Sequence, residues 1–121
     1  MAITKASVVV ANNITMTAGA ANVTSADQDL TASYRTIARI RFTNGATGPT
    51  VQVQVAVQVS EDTTAGDYMT LATVYSGTVN SAVSEYVVEI PDTALHVQFV
   101  SGSNTGQNVT LRIVIEKITA I

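Results

Sequence analysis

The chain has 121 residues, a formal net charge of −3 at neutral pH, only 12% charged residues and no cysteine. That length implies one domain with one core, since domains commonly hold roughly 100–150 residues. The acidic balance excludes a nucleic-acid partner, which needs a basic surface, and the lack of cysteine excludes disulfides, a thiolate nucleophile and cysteine metal sites.

Val, Thr and Ile supply 45 residues and Leu only four. Branching at Cβ restricts χ1 and suits a pleated sheet better than a helix, so the composition is all-β. The first residues, MAITKASVVVANN, lack an apolar run of signal length. Nowhere does the chain approach the roughly 20 apolar residues that span a bilayer. A soluble protein without a cleavable signal and without a membrane partner is expected.

In chain order, Lys5 to Ala11 predicts a first strand, and Asn12-Asn13 a break after it. Ile14, Met16 and Ala18 alternate with Thr15 and Thr17, and after Gly19 the piece from Asn22 to Ser25 predicts a weak pairing. Residues 1–28 are therefore expected to be edge strands or an arm lying on a neighbouring subunit, ahead of a sandwich domain over 29–121. From Ser33 to Thr43, Ala38, Ile40 and Phe42 share one face and Arg35, Ile37, Arg39 and Arg41 the other. Asn44-Gly45 opens a turn that runs through Thr47-Gly48-Pro49. It leads into TVQVQVAVQVS, Thr50 to Ser60, where Val51, Val53, Val55, Val57 and Val59 occupy every second position. A two-residue period with one apolar face is a half-buried strand, and the turn before it predicts an antiparallel hairpin with the preceding strand.

An acidic loop, Glu61 to Asp67, follows. Further strands are predicted from Tyr68 to Tyr75, from Val83 to Ile90 with Pro91-Asp92 as the stop, and around Leu95, Val97 and Phe99. Ser101 to Gly106 is a turn cluster. In the last strand Val109, Leu111, Ile113 and Ile115 alternate with Thr110, Arg112, Val114 and Glu116, and the chain continues apolar through Ile118 and Ile121. Seven or eight short strands at this spacing, with nothing helical between them, predict a single antiparallel β-sandwich, jelly-roll or immunoglobulin-like.

Chemistry is sparse. The single histidine, His96, lies on the face opposite Leu95, Val97 and Phe99 and is expected to be a surface or interface residue rather than a general base. Glu61, Asp62 and Asp67 carry oxygens suited to calcium, but their spacing does not match an EF-hand, so a solvated acidic loop and no metal are expected. Tyr34, Tyr68, Tyr75 and Tyr86 are expected in or beside the core. No catalytic residue and no cofactor are expected, and an enzyme ranks last among the functions considered.

Arginine is the more informative residue. Side chains two apart on a strand lie about 7 Å apart on one face, so Arg39 and Arg41 form a basic stripe able to grip carboxylates in a bidentate way. With Arg35 they mark a candidate protein interface, joined by the apolar tail residues Ile118 and Ile121. The alternative is internal pairing with acidic residues such as Glu85 or Glu89 for the arginines, and closure of the monomer's own core for the tail.

The runs Val57-Gln58-Val59-Ser60-Glu61-Asp62, the strand from Tyr68 to Val74, Val88-Glu89-Ile90-Pro91, and His96 to Gly106 with the β-tail after it resemble small all-β structural proteins of tailed bacteriophages. The similarity covers about residues 50 to 118 and is greatest to capsid decoration, or cement, proteins. It lies in strand order and turn composition and carries no binding residue over. What it implies is a virion protein made in the host cytoplasm and present in many copies on the capsid surface, often a trimer, that clamps the major capsid protein or another virion protein. A tail, fibre or head-tail connector component and a carbohydrate-binding sandwich module are the alternatives.

Overall fold

The computed structural model describes residues 3–16, 23–64, 66–102 and 107–120. Nine strands run through them: β1 (Thr4–Met16), β2 (Val23–Thr24), β3 (Gln28–Asp29), β4 (Arg35–Asn44), β5 (Gln54–Ser60), β6 (Met69–Tyr75), β7 (Val83–Ile90), β8 (His96–Gly102) and β9 (Val109–Ala120). One sheet has the order β1-β9-β4-β7. The other has the order β2-β8-β5-β6, with β3 also pairing β8. All pairs are antiparallel. The expected β-sandwich is the observed fold.

The pairing is nested. The first strand pairs the ninth, β2 and β3 pair the eighth, β4 pairs the seventh, and β5 pairs the sixth. Such a chain is one long antiparallel ribbon folded back at the β5–β6 connection and rolled up. Contacts of β4 with β9 and of β5 with β8 close the roll. This is the jelly-roll arrangement, which decides between the two sandwiches open at the level of sequence.

Apolar alternation places the core between the sheets. Ala38, Ile40 and Phe42 of β4 and Leu111, Ile113 and Ile115 of β9 face Val55 and Val57 of β5 and Val97 and Phe99 of β8, all of them buried. Phe42 also meets the half-buried Tyr86 edge to face, with ring centroids 6.2 Å apart, a favoured aromatic geometry.

Several expectations are corrected. No hairpin forms between β4 and β5: they belong to different sheets, and the segment from Gly45 to Val53 crosses from one to the other. Asn44 and Gly48 tie this crossing to the loop after β6. Asn44 Nδ2 donates to the carbonyls of Gly77 and Val79 at 3.0 and 2.8 Å. The Gly48 N–H donates to Asn80 Oδ1 at 2.8 Å, and a Cβ built on Gly48 would lie 2.0 Å from the Thr78 carbonyl oxygen. Only a glycine lets the two backbones come so close. The valine run also enters its strand late, since Val51 is exposed and β5 starts at Gln54.

Asn12-Asn13 does not end the first strand. Asn13 takes the left-handed conformation at φ 52°, which asparagine tolerates, and the ladder shifts register there and continues to Met16. Tyr34 and Tyr75 are exposed rather than near the core. Ala18, Gly19, Asn22 and the turn from 103 to 106 lie outside the described residues.

Candidate interface on the outer face of the four-stranded sheet

Burying Ala38, Ile40 and Phe42 obliges Arg35, Ile37, Arg39 and Arg41 to point outward, and the same alternation in β9 turns Arg112, Val114 and Glu116 to that face. All four arginines of the chain therefore share one surface. Register arranges it in rows. Arg35 lies beside Ile118, and Ile118 beside Lys5; Ile37 lies between Glu116 and Glu89. Arg39 lies between Val114 and Val87, with Val9 beyond Val114. Arg41 lies between Arg112 and Glu85.

Two arginines are neutralised within the chain, both diagonally. Arg35 Nη2 meets Glu89 Oε1 at 2.9 Å, and Arg39 Nε meets Glu116 Oε1 at 3.1 Å. Exposed pairs of this kind contribute about 0–1 kcal/mol, so they set the charge pattern more than the stability. Arg112, absent from the sequence-based candidates, sends Nη1 to Asn12 Oδ1 at 2.7 Å. Its position in the β9 alternation was visible in the sequence, but its place next to Arg41 depends on which strands pair.

Two shallow grooves cross this face. One of about 450 Å³ is lined by Lys5, Arg35, Ile37, Glu116 and Ile118. A smaller one of about 180 Å³ is lined by Arg39, Arg41, Arg112, Glu85, Val87 and Val114. Ile118 thus sits in a groove wall, half-buried, while Ile121 lies outside the described residues.

His96 is not a surface residue. It does lie on the outward side of β8, but the 25–29 segment and the loop after β5 cover it, leaving it 6% exposed. Its Nδ1 lies 2.8 Å from Asp27 Oδ2 and its Nε2 3.2 Å from the Thr63 carbonyl oxygen. Both partners accept, so both ring nitrogens donate and the imidazolium is the form that fits. The Thr63 carbonyl raises the His96 pKa, burial opposes this, and the Asp27 hydrogen bond and charge add to the rise. The Tyr68 hydroxyl donates to Asp27 Oδ1. Burial first and Asp27 second push the Tyr68 pKa up to about 12. Nothing in the sequence around Asp27 marks it as the partner of a residue 69 positions away.

This Tyr68–Asp27–His96 chain ends on a backbone carbonyl rather than on a nucleophile, so it ties surface segments together and holds a proton. Glu61, Asp62 and Asp67 border a side groove with Met69 and Leu71. Among the described residues no three His, Cys, Asp or Glu side chains are grouped to hold a metal ion.

No protein-family model matches the chain, and no curated protein matches it by sequence. Solved structures do share its fold. The SPBc2 prophage-derived protein YomS is similar over 96% of this chain and 96% of its own, with 14% identity and a TM-score of 0.52. The K1 cleaved adhesin domain of Lys-gingipain from Porphyromonas gingivalis W83 is similar over 97% and 99%, with 12% identity and a TM-score of 0.57. A chain of the infectious bursal disease virus Gx strain is similar over 97% of this chain and 32% of its own, with 11% identity and a TM-score of 0.57. At such identities the likeness is one of fold.

Proposed function

We propose that this chain is a non-enzymatic structural protein of a bacteriophage particle: a decoration or cement protein, seated in many copies on the head surface and bound to the major capsid protein. The observation that carries this reading is the fold shared with the prophage-derived YomS over 96% of each chain. The fold it shares with a chain of a virus particle adds support. In this reading the outer face of the four-stranded sheet docks on the shell, and the subunits assemble as a homo-oligomer, a trimer by preference.

The deciding experiment counts copies of the chain in purified particles from its source, by quantitative mass spectrometry against the major shell protein. A ratio near that of a shell component is the expected result. A few copies per particle would assign it to the tail, a fibre or the connector instead. Complete absence would overturn the virion reading and favour a binding module, to be sought on a glycan array.

A further inference from the structure

We propose that Arg41 and Arg112 form a carboxylate-binding site that receives an aspartate or glutamate side chain from an acidic segment of a partner protein. The proposal rests on the docking face assigned above and names the chemistry of its partner.

Arg41 and Arg112 are direct cross-strand partners of β4 and β9. Cβ atoms so placed lie about 4.5–5.5 Å apart, and like charges directly opposite repel. A counter-charge placed between the two would relieve that repulsion. Every other arginine of the face has its own carboxylate: Arg35 has Glu89 and Arg39 has Glu116. Arg112 is held only by the neutral amide of Asn12, which orients its guanidinium without neutralising it. Among the described residues Arg41 makes no hydrogen bond or ion pair. Neither guanidinium is ion-paired: the one carboxylate beside them, Glu85 opposite Arg41, bonds to neither, in a chain whose formal net charge is −3.

The surroundings fit a carboxylate. Both arginines line the groove of about 180 Å³, whose floor and rim include Val114 and the 64%-exposed Val87. A guanidinium binds a carboxylate in a bidentate way, and a carboxylate seated in this groove lies between two of them. Row spacing along β4 is about 7 Å, the same as between alternate side chains of an extended segment, so such a segment can follow the strand. Glu85, beside Arg41 in the groove, is the internal competitor; it makes no ion pair among the described residues.

The test is a titration of the whole chain with capped hexaglutamate, followed by the arginine Nε–H resonances at constant ionic strength, with capped hexaglutamine, inorganic phosphate and hyaluronate oligomers in parallel. Saturable shifts at Arg41 and Arg112 with hexaglutamate alone are expected. Arg41→Gln and Arg112→Gln should each weaken binding about two- to fivefold. Arg41→Lys should restore little, and Glu85→Gln should tighten binding severalfold by removing the competitor. These side chains are outside the core and each Gln substitution removes the repulsion between them, so melting temperatures that are unchanged or slightly raised accompany the expected result. An equal response to phosphate, a stronger one to hyaluronate, no saturation, or indifference to the arginine variants would each overturn the proposal. The outcome is independent of the particle count. Binding without particle copies keeps the site and discards the virion reading; copies without binding place the docking surface elsewhere.

Discussion

His96 shows how one side chain can make stability depend on pH. In the fold it donates to two acceptors, Asp27 and the Thr63 carbonyl, and its pKa rises above the ordinary 6.5. The folded chain then holds the proton more tightly than the unfolded one. Its stabilisation is complete below about pH 6.5 and is lost as pH climbs through the raised folded value. Thermal melting from about pH 5 to about pH 9 should show this decline, and His96→Gln should flatten it. A variant with the original slope would show that other groups carry the dependence. Asp29 works in the opposite sense. Its carboxylate accepts from the backbone N–H of Thr31 at 2.8 Å and from the Thr31 hydroxyl at 2.7 Å, which lowers its pKa below 3.8. Stability from that contact is present above 3.8 and is lost as pH falls through the depressed value.

Among the elements, the crossing between β4 and β5 and the edge strand β6 are the most exposed to test. Gly48→Ala drives a methyl group into the Thr78 backbone, and the whole 78–80 loop must move. A loss of about 2–4 kcal/mol is expected, measured by urea unfolding, with a further loss of the Asn80 contact. A loss under about 0.5 kcal/mol would mean that the loop yields freely. The edge strand β6, MTLATVY, has no charge or proline, and Met69 is 73% exposed. Its protection is a bulge opposite Val57 and Gln58. A charge at an edge discourages pairing with other chains. Thr73→Lys should therefore slow aggregation on heating while leaving the unfolding free energy within about 0.5 kcal/mol.

For the molecule as a whole, the jelly roll makes stability and folding rate collective. Its ladders join residues far apart in the chain, with Thr4 opposite Ala120 and Thr43 opposite Thr110. Such pairings cost loop entropy before they return contacts, so refolding in about milliseconds to seconds, in a single transition, is expected by stopped-flow fluorescence of the tyrosines. Phe42→Ala removes a fully buried ring from between the sheets and should cost about 3–5 kcal/mol, since both sheets share one core. Two separate unfolding transitions in denaturant would contradict that single core.

Strand identity was legible in the residues because alternation is local. The face of β4 bearing Ala38, Ile40 and Phe42, the limits of β7 and the buried set of β9 follow from period-two patterning, and each meets the core as expected. The sharing of one face by Arg35, Arg39 and Arg41 follows from the same rule. Strand order is a different kind of information. Asn44 to Pro49 has the composition of a hairpin turn, and nothing in it says that the next strand belongs to the other sheet. What decides is the packing of two complete sheets around one core. That packing also brings Arg112 beside Arg41 and Asp27 beside His96, pairs separated by 71 and 69 positions. Periodicity assigns a side chain to a face, but only the assembled sheets give it a neighbour.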